Sequence, residues 1–164
     1  MAGITNSFNI NDLDSKENSE SKFKDLKHLD LNGLAEKLND AYLQKISLNC
    51  PNLTHLELSP GPTCVGLGEI TGKGLGYLAK LPITHLSISR ASLKDFSFLS
   101  KMISLQSLSF TAVNFKEKDL VHLGPLKSLT KLDLIGTYVT DKHFRDSTLS
   151  ASIKTTIKPA FSTK

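Results

Sequence analysis

Residues 26–31 read LKHLDL, residues 53–58 LTHLEL, residues 83–88 ITHLSI, residues 105–110 LQSLSF and residues 129–134 LTKLDL. One pattern, Leu-x-x-Leu-x-Leu with Ile or Phe allowed, therefore recurs five times, starting at Leu26, Leu53, Ile83, Leu105 and Leu129. The intervals are 27, 30, 22 and 24 residues by subtraction, a spacing that marks stacked repeat architectures. Within each motif, alternation puts one pair on a single side of an extended strand: Leu29 and Leu31, Leu56 and Leu58, Leu86 and Ile88, Leu108 and Phe110, Leu132 and Leu134. After each of the first four strands a second apolar set follows a turn: Leu34 and Leu38; Leu75, Leu78 and Leu81; Phe96 and Leu99; Leu120 and Leu123. Spacings of three and four place each set on one side of a short helix that closes over the strand. No such unit buries its own apolar edge, so neighbours must stack into one core.

Over residues 23–146 the chain resembles the leucine-rich-repeat family, and three of its four intervals fall within that family's usual range of about 20–29 residues. The implied fold is α/β: a right-handed leucine-rich-repeat solenoid of about five units, with parallel strands on the concave face and short helices or turns on the convex face. NCPNLTHLELS (49–59) followed by EITGKGLGYLAKLP (69–82) is similar to the cysteine-containing repeat subtype that often follows an F-box. There a Cys-Pro-x-Leu segment precedes the strand and an Ile-Thr-Asp-x-Gly-Leu turn opens the helix; YVTDKHF (138–144) echoes that turn. Gly72 stands where the subtype has Asp, and only Cys50 matches the cysteine before a strand. The subtype implies a substrate-recognition part of a cullin-type ubiquitin ligase, although residues 1–25 are too few and too polar for an F-box. The family also occurs among bacterial effectors that act inside a host cell.

Composition bounds the rest. With 164 residues, 39 % hydrophobic and 22 % charged, the chain fits one globular domain. Residues 1–22, rich in Asn, Ser, Asp, Glu and Lys, read as a flexible polar N-terminal tail, and 147–164 as a polar C-terminal tail. Ile10, Leu13 and Phe23 in the first, or Ile153, Ile157 and Phe161 in the second, could cap the open ends of the array. No apolar run approaches the ~18 residues that cross a bilayer, and the N-terminus shows no secretion signal. Cys50 and Cys64 form neither a disulfide framework nor a CxxC pair, which points to a reducing, cytoplasmic compartment and to buried structural thiols. Twenty basic against sixteen acidic residues give +4, without the dense block of lysines and aromatics that grips nucleic acid.

Function should sit on the outward residues of the strands. By register they form one column of His28, His55, His85, Ser107 and Lys131 and a second of Asp30, Glu57, Ser87, Ser109 and Asp133, with Arg90 beside the strand exits. These eleven residues are the expected contacts for a protein partner. Strands about 4.8 Å apart would stack the three histidines beside two carboxylates. The bland reading is a row of hydrogen-bonding contacts; the sharp one is a metal- or pH-sensitive site, with a metal-dependent hydrolase as the different-class alternative. A flat ladder rarely converges three side chains on one point. No metal ligand set, cofactor or catalytic residue is therefore assigned: His122 and His143 fall in convex segments, and GLGEITGKG (66–74) fails the phosphate-loop pattern at Leu67 and at Gly74. The segment from Pro60 to Thr71 should protrude as a loop. The expectation is a non-enzymatic, monomeric protein-binding module that contacts neither nucleic acid nor membrane.

Overall fold

The computed structural model describes residues 23–33, 38–60, 66–67, 69–147, 149 and 153–160. Six strands form one sheet in sequence order: β1 (His28–Asp30), β2 (His55–Leu58), β3 (His85–Ser89), β4 (Ser107–Thr111), β5 (Lys131–Thr137) and β6 (Lys154–Pro159). Every neighbouring pair is parallel, so each connection must cross back over the sheet. The crossovers carry α1 (Asp40–Asn49), α2 (Gly72–Leu78), the 3-10 helices η1 (Ser97–Lys101) and η2 (Glu117–Leu123), and α3 (Asp141–Arg145). Each packs on the next, α1 on α2, α2 on η1, η1 on η2 and η2 on α3. This is the layout of an α/β solenoid, a layer of strands backed by a layer of short helices.

The first five strands begin within the five repeated motifs. Their inward leucines fix the register, because a slip of one residue would turn every one of them to solvent. Leu29, Leu56, Leu86, Leu108 and Leu132 pair in a continuous row, and none is more than 3 % exposed. Burying a leucine of this size contributes roughly 2 kcal/mol.

The helix layer departs from the sequence reading after β1. Leu34 lies outside the described residues, and Leu38 is buried but precedes the helix. Asn39 decides the start: its Oδ1 accepts the Tyr42 N–H at 3.1 Å, so α1 begins one residue later and buries Leu43 and Ile46 instead. In α2 the cap is Thr71, whose Oγ1 accepts the Lys73 N–H at 3.2 Å, and in α3 it is Thr140, which accepts from His143 N–H at 3.3 Å. The two Ile-Thr and Val-Thr turns noted in the sequence are therefore helix caps. Asp40, the first residue of α1, takes both the Thr71 N–H (2.8 Å) and its hydroxyl (2.6 Å) and packs so closely on Gly74 that a β-carbon there would overlap its carboxylate.

Four phenylalanines fill the middle of the core. Phe96 meets Phe115 edge-on at 4.9 Å and Phe110 at 5.9 Å, Phe110 meets Phe115 at 5.3 Å, and Phe98 lies 6.4 Å from Phe96. Cys50 sits three residues before Leu53, as Met102 does before Leu105 and Leu126 before Leu129; all three are buried. The thiol therefore occupies a position that Met102 and Leu126 fill in the fourth and fifth repeats, and burial pushes its pKa up to about 12. Cys64 lies outside the described residues, as do 61–65 of the expected loop, residues 1–22 and Phe161.

The sixth strand is the largest difference. The stretch 147–164, read from sequence as a polar tail, contains β6, which pairs with β5 from Lys131–Lys154 to Thr137–Pro159. Where other strands carry two large apolar residues on the inward side, β6 has Thr155 and Ile157 opposite Leu132 and Leu134. A strand that ends a sheet needs ladder hydrogen bonds but covers no further unit, and Lys154, Lys158 and Pro159 blunt its free edge against pairing. No helix among the described residues is long and apolar enough to cross a membrane.

Candidate functional site

Because alternate side chains leave opposite faces of a strand, the buried leucine rows force the intervening residues onto the open face, away from the helices. The register sets His28, His55, His85, Ser107, Lys131 and Lys154 in one row, and Asp30, Glu57, Ser87, Ser109, Asp133 and Thr156 in the next. Ten of the eleven residues singled out in the sequence thus share one surface. It spans six strands, about 24 Å at the usual inter-strand spacing. Lys154 and Thr156 extend both rows and were missed, because β6 lacks the leucines by which the other strands announce themselves.

The surface changes character along its length. At the β1–β2 end stand the carboxylates Asp30 and Glu57 beside the histidines; in the middle, β3 and β4 offer the hydroxyls of Ser87, Ser89, Ser107, Ser109 and Thr111; at the β5–β6 end stand Lys131, Lys154 and Lys158. Lys131 is paired along its own strand with Asp133 at 3.0 Å. Asp30 Oδ1 accepts the Asn32 N–H at 2.8 Å, and Glu57 Oε2 accepts from the Asn32 amide at 3.4 Å.

The three histidines are stacked. Ring centroids are 3.9 Å apart between His28 and His55, with planes 19° apart, and 4.0 Å between His55 and His85, with planes 8° apart. His55, in the middle, is held below the ordinary histidine pKa by desolvation first and then by the positive charge that His85 and His28 would bring. Parallel rings side by side do not aim three nitrogens at one point, and among the described residues no group of three His, Cys, Asp or Glu could hold a metal ion. Thr54 and Thr84, one residue before His55 and His85, place Oγ1 2.9 Å from the respective Nδ1. The repeated Thr-His-Leu in LTHL and ITHL was the signal for these partners.

Arg90 lies elsewhere, at the exit of β3, with φ 50°. Counting five residues on from the histidine row gives Gly33, Arg90, Ala112 and Gly136, all with positive φ (82°, 50°, 53° and 64°). The turn has a cause: the Arg90 N–H reaches Thr111 O at 2.8 Å and the Ala112 N–H reaches Ile135 O at 2.7 Å, continuing the ladder one step as the chain bends away. In β2 the equivalent residue is Pro60, which has no N–H to give, and there the long insertion begins. Arg90, Ala112 and Gly136 help line a cavity of about 420 Å³ at the strand exits, floored by Leu67, Ile70 and Val113. Asn114 on its wall ties two turns together, accepting from Leu93 N–H and donating to Leu93 O, both at 2.8 Å.

The helix side has a serine and a histidine in contact, Ser100 Oγ 3.3 Å from His122 Nδ1. That hydroxyl also donates to His122 O at 3.4 Å, and nearby Asp95 directs both carboxylate oxygens to Ser97, at 2.9 and 2.7 Å. The Ser100–His122 contacts join η1 to η2, and the Asp95–Ser97 bonds order the start of η1. His143 Nδ1 accepts the Thr140 N–H at 3.2 Å, and its Nε2 lies 3.4 Å from Glu117, so it serves the cap of α3.

No protein-family model matches the chain, and no curated protein does. Among solved structures, an internalin from Listeria monocytogenes is similar at 17 % identity and a TM-score of 0.47, over 86 % of this chain and 49 % of that one. The chain thus spans about half the length of that protein.

Proposed function

We propose that the chain is a non-catalytic protein-binding module of the leucine-rich-repeat type that holds its partner against the open face of the sheet. One observation carries this reading: the two polar rows run unbroken across six strands, on a sheet whose opposite face is pinned by the leucine row. A surface held this rigidly loses little entropy on docking, so its contacts convert more fully into affinity. The mixture of acidic, hydroxylic and basic zones suits a folded or extended protein segment better than the uniform charge of a nucleic acid. The narrower versions, a ligase substrate-recognition part or a bacterial effector, are supported only by the resemblance of 49–82 and 138–144 to one repeat subtype.

The test compares capture by three forms of the chain, quantified by mass spectrometry: wild type, His55→Ala with Glu57→Ala on the open face, and Lys101→Ala with Ser104→Ala on the helix side. Loss of the same captured proteins in the open-face form alone is the expected result. Equal capture by the first two forms would move the contact surface off the open face.

A further inference from the structure

Two histidines of the stack, His55 and His85, each have a threonine hydroxyl beside Nδ1. Thr54 Oγ1 donates to Lys27 O at 3.0 Å, and Thr84 Oγ1 donates to Thr54 O at 3.2 Å. A threonine hydroxyl has one proton to give. With that proton directed at a carbonyl, each Oγ1 meets the neighbouring Nδ1, 2.9 Å away, as an acceptor. These bonds suit the hydrogen of the neutral imidazole on Nδ1 in both His55 and His85, the tautomer that leaves Nε2 as a bare lone pair. The stack, at 4.0 Å and 8°, sets these two rings parallel, so the lone pairs stand side by side.

Two residues further along β1 and β2, Asp30 and Glu57 stand opposite one another. Both are exposed; among the described residues both accept from Asn32 alone, and neither has an ion-pair partner there. Ionised carboxylates accept hydrogen bonds and give none, and an imidazole whose Nδ1–H is given to a threonine offers the open face only an accepting Nε2. This corner is thus rich in acceptors and negative in charge, while the opposite end of the same face carries Lys154 and Lys158.

We propose that the β1–β3 corner is the seat for an arginine-bearing, basic segment of the partner protein, and that acidification empties the seat. The proposal rests on the open face being the contact surface. A guanidinium is planar, always charged and a donor on every polar edge, which matches paired carboxylates flanked by lone-pair nitrogens. Acid reverses the match. A proton on Nε2 turns an acceptor into a donor and sets positive charge against the arriving cation. The charged groups around the stack are Asp30 on β1 and Glu57 on β2, which hold the cation; Lys24, Asp25 and Lys27 leading into β1; Arg90 at the exit of β3; and Lys131 and Asp133, two strands beyond His85 and paired with each other.

Imidazole ¹⁵N shifts at neutral pH test the first step, and the expected result is the Nδ1–H tautomer in both His55 and His85. An acetyl-Gly-Arg-Arg-Gly-amide probe, with its Glu-for-Arg counterpart as control, is then titrated while backbone amides are followed. The arginine probe should shift amides of β1–β3 and bind about tenfold more weakly at about pH 5.5 than at about pH 7.5. In a chain carrying His55→Gln and His85→Gln that pH dependence should largely vanish while binding at neutral pH persists; in one carrying Asp30→Asn and Glu57→Gln binding should vanish at both values. Amide spectra of each variant establish that it is folded. An Nε2–H tautomer, an equal response to the glutamate probe, or equal affinity at both pH values overturns the proposal. Any of these, with capture by the open face still intact, sinks the arginine seat alone; loss of open-face capture sinks the reading beneath it.

Discussion

At the scale of single residues, two titratable groups show how position in the array sets chemistry. Cys50 fills the core position that Met102 and Leu126 fill elsewhere, and with its pKa pushed up to about 12 only about one thiol in 10⁴ is ionised at pH 8. In a Cys64→Ser background Cys50 should resist a thiol-reactive dye in native buffer and react fully in guanidinium chloride. Rapid labelling of the native protein would contradict its burial. His55 carries a prediction with a sign. Its pKa is depressed in the fold, so below about 6.5, where a free histidine takes up its proton, the unfolded chain binds more protons than the native one. Stability from this group is therefore complete above about pH 6.5 and falls as the pH drops toward the folded pKa. The urea midpoint should decrease between about pH 7.5 and 5.5, and His55→Gln should flatten part of that slope. Asp95, depressed by its hydrogen bonds to Ser97, titrates below this window and does not confound it.

At the scale of elements, every crossover turns on one short polar side chain at its start: Asn39, Thr71 and Thr140 cap the α-helices, while Asp95 and Asp119 order the starts of η1 and η2 through bonds to Ser97 N–H and Lys116 N–H. At the other end of the strands the turn depends on left-handed backbone, and that makes its residues unequal. Gly136 takes φ 64° at no steric cost, and a β-carbon there would lie 3.3 Å from Ala112 N. Gly136→Ala should therefore cost about 1–2 kcal/mol in chemical denaturation. Ala112 already bears such a conformation, so Ala112→Gly trades relief of strain against a freer unfolded chain and should change stability by less than ~0.5 kcal/mol. Costs of the same size at both positions would show that backbone sign is not what governs them.

At the scale of the whole molecule, stability comes from stacking, so the terminal strand matters more than its composition suggests. Ending the chain at residue 153 removes β6 and uncovers the edge of β5 and the side of its leucine row. The shortened chain should unfold at lower urea and self-associate in size-exclusion chromatography; unchanged stability and a single monomer peak would make β6 an ornament. Much of this architecture was legible in the sequence. Five strands, their parallel register and the two polar rows follow from the spacing of leucines, because a period of two leaves one way to bury them and repetition leaves one way to stack them. The placement of ten of the eleven candidate contacts on one face follows from the same rule. Other features depended on the third dimension. Strand β6 carries no leucine pattern, since an end strand is selected by ladder hydrogen bonds and not by a core. The start of α1 moved to Asp40 because a cap and a neighbouring helix decide it. The hydroxyls of Thr54 and Thr84, beside His55 and His85, bond carbonyls 27 and 30 residues earlier in the chain. Sequence determined what must be buried, because burial depends on local periodicity; tertiary structure decided what the exposed atoms offer, because that depends on partners brought together only when the units stack.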